Sequence, residues 1–222
     1  MGTYHGPSSL GGSGRRTSGD MWIDGKPVKW PTSPYMALRM GIAMIPENRK
    51  TEGLVLDSSS GLNIAIGDLG RATRNGILTT NKLFATTVDA AKNADFDVSR
   101  LSSRAGNLSG GNQQKLLFAR WDYAPVRVLL ADEPTRGIDI GAKAVIAEKL
   151  LDRCERGVGV ILASSEMEEV TELCSRVVVL QEGRTAGGSI ARTDRSLSTR
   201  SSIFHSASRR PQLRKQHVTS HI

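Results

Sequence analysis

The sequence is poor in the residues that usually carry metal and thiol chemistry. Its two cysteines, Cys154 and Cys174, sit in no metal-type spacing, so a disulfide framework and a cysteine-rich zinc site are excluded and a reducing compartment is expected. Of the four histidines, His205, His217 and His221 fall within residues 183–222, a region with little other information. No apolar run approaches the length of a membrane span; the longest, "VRVLLA" and "VGVILA", are strand-sized. The opening "MGTYHGPSSLGGSG" is Gly/Ser-rich and lacks the apolar stretch of a secretory signal, which points to a cytoplasmic chain.

Charge of one sign is also missing from most of the chain. The 222 residues carry a net charge of +8. Residues 183–222 hold eight basic side chains and one acid, Asp194, so the remaining body is nearly neutral. A basic protein suggests nucleic acid or an anionic surface. Here the charge belongs to a Ser/Arg-rich tail, expected over 188–222, which reads as a disordered, solvated segment. A nucleic-acid-binding role is therefore disfavoured.

What is there is a strict alternation of elements. "MWIDGKPVKW" reads as two short strands around Asp24-Gly25, a hairpin signal. "SPYMALRMG" follows as a short helix begun near Ser33-Pro34 and stopped by Gly41, then "IAMI" as a buried strand. Residues from about 48 to 105 are less periodic and read as a helical lobe. Beyond it come a helix from about Ser109 to Tyr123, a strand Val126 to Ala131, a helix from about Gly141 to Glu155, a strand Val158 to Ala163, a helix Ser165 to Leu173 and a strand Arg176 to Leu180. Such alternation calls for an α/β fold, a mostly parallel sheet with helices on both faces, whose chemistry lies at the carboxyl ends of the strands.

The residues just after those apolar runs are the informative ones. "VRVLLADEPTRGID" drives a strand into Asp132 and Glu133. One acid at a strand end can hold a Mg²⁺ shell and the next can orient an attacking water, as phosphoryl transfer requires; the alternative is a pair of loop acids favoured by a nearby helix dipole. In "NLSGGNQQKLLFAR", Ser109 and two glycines open a helix, where backbone N–H groups and the dipole suit an anion. A plain serine N-cap is the other reading.

Together, "LSGGNQQK" and, one short helix later, "LLADEPTRGIDIGAK" resemble the signature motif, Walker B strand and D-loop of an ATP-binding cassette (ABC) ATPase. With "IPENRKTEGL" and "SSEMEEV", the chain is similar to the second cassette of the tandem-cassette ATP-binding subunits of bacterial carbohydrate importers of the ribose, galactose and xylose type. The resemblance covers about 19–187 and implies a P-loop-NTPase-like fold. It also implies ATP and Mg²⁺ as cofactors. Ser109, Gly110, Gly111 and Gln113 would face ATP held by an opposite cassette, and Asp132 would bind Mg²⁺ through water. Glu133 would be the general base, and Asp139 the D-loop acid facing the partner. Glu47 stands at the Q-loop position, implying a nucleotide and metal contact, against the alternative of a solvated loop acid. Ser165 stands at the switch-histidine position, implying a catalytic role, against the alternative of a helix N-cap with Glu168 completing a capping box. The implied partners are a second cassette and the transmembrane permease subunits of a sugar importer, with no direct sugar binding. The implied location is cytoplasmic, peripheral on the inner face of the cell membrane.

One family element is missing. No stretch reads G-x-x-x-x-G-K-[ST], the loop that closes backbone on phosphates. "LGGSGR", residues 10–15, resembles the tail of the degenerate loop of such second cassettes, or is a linker within a leader over 1–18. The expectation is an incomplete cassette lacking its first strand and phosphate-loop helix. Its sheet would have an uncovered edge, and its own ATPase activity would be in doubt.

Overall fold

The computed structural model describes residues 19–180 in full and, as backbone, residue 181 and the strands 184–189 and 217–221. The leader expected over 1–18 and most of the tail lie outside the described residues.

Strands β1 (Met21–Ile23) and β2 (Lys26–Val28) pair antiparallel, Ile23 opposite Lys26. The turn works because Asp24 and Gly25 both take positive φ, 50° and 72°, which matches the twist of a tight hairpin. Helix α1 (Pro34–Arg39) starts as read, with the Ser33 side chain accepting the Met36 N–H and Pro34 in the first turn. Strand β3 (Ile42–Ile45) follows. The lobe holds a π-helical turn (Arg49–Gly53) and helices α2 (Ser60–Ala65), α3 (Leu69–Ala72) and α4 (Thr80–Asn93). It also holds a small hairpin, β4 (Thr73–Arg74) and β5 (Ile77–Leu78), turned by Asn75 and Gly76 at positive φ.

Helix α5 (Gly110–Tyr123) then leads to β6 (Val128–Asp132), α6 (Ile140–Glu155), β7 (Gly159–Ser164), α7 (Met167–Leu173), β8 (Arg176–Gln181) and β9 (Arg184–Ser189). The last strand is β10 (His217–His221). The main sheet has the order β3-β6-β7-β10-β8-β9. β3, β6 and β7 are parallel, whereas β10 runs antiparallel to both β7 and β8, and β9 antiparallel to β8.

β10 fills a one-strand slot inside the sheet, between β7 and β8, with Val218 opposite both Ser164 and Val179, while β3 and β9 form the two edges. Residues 217–221, which fall in the tail expected to be disordered, form a strand.

The core lies where α5 packs between the lobe and the sheet, with Leu116, Leu117, Phe118, Leu129, Leu150 and Leu162 fully enclosed. One buried cation joins the layers. Arg120 donates from Nη1 to Gly53 O (2.6 Å), from Nε to Asn63 O (2.7 Å) and from Nη2 to Asn63 Oδ1 (3.2 Å). Burial lowers its pKa to about 10, so it stays charged at neutral pH. Arg153 pins the same helix to α6 through Trp121 O (2.7 Å), Phe118 O (3.1 Å) and Asp122 (3.0 Å).

Candidate functional site

Parallel pairing fixes where the acids stand. Ile45 lies opposite Ala131 and Asp132 opposite Ala163, so the ends of β3, β6 and β7 reach the same edge of the sheet. Asp132 is the last residue of β6, Glu133 and Ser165 directly follow β6 and β7, and Glu47 stands two residues past β3.

Glu133 sits at φ 45°, a left-handed conformation that a side-chain-bearing residue adopts only when its surroundings impose it. Two bonds to the β7 end impose it: the Glu133 N–H donates to Ala163 O (2.8 Å), and the Ser165 N–H donates to Glu133 Oε1 (2.8 Å). The carboxylate is thus oriented by backbone. This corrects the N-cap reading of Ser165. Helix α7 starts two residues later, its cap residue Glu166 makes no side-chain cap bond, and it is the Ser164 hydroxyl that accepts the Glu166 N–H (3.1 Å). The capping box with Glu168 does not form.

Ser109 is the N-cap of α5, its Oγ accepting from Asn112 N (3.4 Å) and Asn112 Nδ2 (3.1 Å). The N–H groups of Gly110 and Gly111 meet no acceptor among the described residues, as the first turn of a helix dictates. At Gly111 an added Cβ would make only ordinary contact with Ala142 (3.6 Å), whereas at Gly110 it would lie 2.7 Å from Arg49 Nη2. Gln113 does not join this surface. It is 2% exposed, and its Nε2 donates to Ala105 O (3.1 Å), so burial turns the side chain inward. Asp139 caps α6, its Oδ1 accepting the Ala142 N–H (3.0 Å), and is exposed.

Glu47 is exposed and forms an ion pair with Arg136. The pair borders a cavity of about 350 Å³ lined by Glu47, Asn48, Arg49, Lys50 and Arg136, three cations against one carboxylate. Arg49 spans it, donating to Arg136 O (3.0 Å) and Gly137 O (3.3 Å).

Glu169 is a residue that sequence reading missed. Its oxygens are buried and complete no hydrogen bond among the described residues. Burial raises its pKa, the nearby Ser164 and Thr135 hydroxyls offset part of the rise, and Glu166 and Glu133 add to it. No local pattern distinguishes it from Glu168. Burial pushes the Cys154 thiol up to about 11, which disfavours its thiolate at neutral pH.

The described residues therefore offer a helix N-terminus with two open glycine amides beside the Arg136–Gly137 turn and, at the end of β6, a fixed carboxylate. The ABC transporter family model matches residues 8–136, more than half of the chain. The chain belongs to the ABC transporter family. The matched stretch takes in "LGGSGR". This cassette is 41% identical over 173 residues to the ribose import ATP-binding protein RbsA 2 of Escherichia coli O157:H7, covering 78% of the chain and 34% of that protein. Against the ribose import ATP-binding protein RbsA of Bacillus subtilis strain 168 the identity is 40%, covering 81% and 36%. The cassette thus spans about a third of the length of these relatives. Among solved structures, the dimeric bacterial ABC transporter cassette MJ0796 superposes with a TM-score of 0.68 at 18% identity, covering 84% of this chain and 79% of the other. The cbiO1 protein of Clostridium perfringens, part of an ABC transporter complex, gives 0.65 at 21%, covering 83% and 70%. These likenesses establish the P-loop-NTPase-type fold.

Proposed function

We propose that this cassette belongs to an ATP-dependent carbohydrate importer, and that its own contribution is to present Ser109, Gly110 and Gly111 to the γ-phosphate of ATP held by a second cassette. The observation that carries this is the N-terminus of α5: two glycine amides without acceptors, a capping hydroxyl, and a 14-residue helix whose dipole is positive at that end. Ribose import by the relatives supports the substrate class, and their name as ATP-binding proteins supports the cofactor.

The residues fit an anion at the signature end. They do not assemble a resident metal site: among the described residues no group of three His, Cys, Asp or Glu side chains is placed to hold an ion, and Glu47 is engaged by Arg136. Bound ATP supplies the phosphoryl group whose transfer the family performs. Glu133, held by the Ser165 N–H, keeps a carboxylate fixed to accept a proton from water. With no G-x-x-x-x-G-K-[ST] loop to position phosphates, the chain alone turns over no ATP.

The partners under this reading are an intact cassette and the permease subunits of the importer, with sugar specificity residing elsewhere and the cassette lying against the cytoplasmic membrane face. Among the described residues no helix is long and apolar enough to cross a membrane.

The test mixes this chain with an intact cassette whose catalytic glutamate is blocked. Each charge-assisted bond contributes about 1.5–3 kcal/mol before association costs, so binding is weak and strictly nucleotide-dependent. Wild type associates only with Mg-ATP, and Ser109→Arg abolishes association. Equal association of both forms, or none from either, refutes the reading.

A further inference from the structure

We propose that Arg49 is a positioning residue that clamps the D-loop backbone at Arg136–Gly137 to the N-terminus of the signature helix, so that both meet a partner as one rigid face. The clamp is a property of this chain alone, and its consequence for association rests on the function proposed above.

The base of Arg49 is rooted on α5. The π-helical turn Arg49–Gly53 starts at Asn48, whose Oδ1 accepts the N–H groups of Lys50 (3.2 Å) and Thr51 (3.3 Å), and closes with Leu54 N–H on Arg49 O (2.8 Å). Gly53 ends the turn with its carbonyl on Arg120 Nη1 (2.6 Å), and a Cβ there would lie 3.2 Å from Leu117. The turn is thus fastened to the buried half of the same helix whose N-terminus the guanidinium reaches.

The head of Arg49 then spans two segments. One nitrogen donates to Arg136 O and the other to Gly137 O, while Nη2 occupies the space a side chain at Gly110 would need. A cation beside a helix N-terminus opposes the dipole. The two carbonyls are what hold it there, and only a planar fork reaches both at once. Arg136 in turn pairs with Glu47, which ties the Q-loop position into the same unit. Gly110 consequently has a reason to be glycine besides phosphate access: a Cβ displaces the guanidinium from the D-loop.

The experiment measures amide hydrogen exchange over 136–138 in the full chain for wild type, Arg49→Met, Arg49→Lys, Gly110→Ala and the Arg49→Met/Gly110→Ala double variant. Arg49→Met raises exchange roughly tenfold, the effect of losing about one net hydrogen bond. Gly110→Ala raises it equally although alanine favours a helix, the double variant matches either single one, and Arg49→Lys falls between. Additive effects overturn the clamp, as does an unchanged rate in Arg49→Met. An equal rise at the interior amides Leu116–Ala119 shows global loosening and overturns it too. In the association assay Arg49→Met weakens nucleotide-dependent binding, and Arg49→Lys partly restores it. Failure of wild type to associate refutes the proposed function and leaves the exchange result standing.

Discussion

The two ends of helix α5 are built on opposite plans. At the C-terminal half, Arg120 and Arg153 spend their guanidinium donors on backbone carbonyls of the lobe, of α5 itself and on Asn63 and Asp122, inside a packed core. At the N-terminal end Ser109 is exposed, the glycine amides are open, and the nearest cation is held by carbonyls of another loop. A helix rooted at one end and unfinished at the other can present N–H groups with little reorganisation. Under the proposed function, its stability is decided at the root and its recognition at the tip.

The largest effect is expected at the root. Arg120→Met leaves the Gly53 and Asn63 carbonyls unpaired in the core, and chemical denaturation should show a loss of about 3 kcal/mol or more. If the loss is below that of a surface substitution, the contrast between the two ends fails. Gly67→Ala comes next. Its Cβ would fall 2.7 Å from Arg120 O, a backbone atom, so a cost of about 1–3 kcal/mol is expected from strain, read in the same denaturation.

At the tip, Ser109→Ala should cost only about 1 kcal/mol, the worth of an exposed N-cap. It should nonetheless reduce nucleotide-dependent association, whereas Gly67→Ala should not beyond its effect on folding. The smallest effect is a pH dependence beside the acid end. The pKa of Glu169 is raised in the folded state, so the folded chain binds a proton more tightly than the unfolded one. Stability from this group is therefore greatest at low pH and falls as pH rises from the ordinary glutamate range through the raised value. Glu169→Gln should flatten that fall and raise the melting temperature at neutral pH; an unchanged pH profile would count against the burial described.

Much of the frame was legible because it is local. Ser33-Pro34, Asp24-Gly25 and Ser109 act on their own backbone within a few residues, and the apolar runs at 128–131 and 160–163 form buried parallel strands. The Asn75-Gly76 hairpin carried an equally local signal and was absorbed into the helical lobe. What was not legible depends on distant backbone. Arg49 is read by the carbonyls of Arg136 and Gly137, which every residue type offers, so nothing in sequence marks them as its acceptors. Ser165 looked like a cap because serine usually is one, but its N–H is taken by Glu133 across the sheet. Gln113 shared a motif with Ser109 yet is buried, its amide donating to Ala105 O.

Strand β10 bears on the order of events in folding. It lies between β7 and β8, so its seat does not exist until those two strands have been set side by side by α7. During synthesis residues 217–221 emerge after every other described strand. The growing chain therefore cannot complete the sheet between β7 and β8 until residues 217–221 are made, and it closes that slot with a non-local antiparallel pairing. Closure of the sheet thus waits on five residues made last among the described strands.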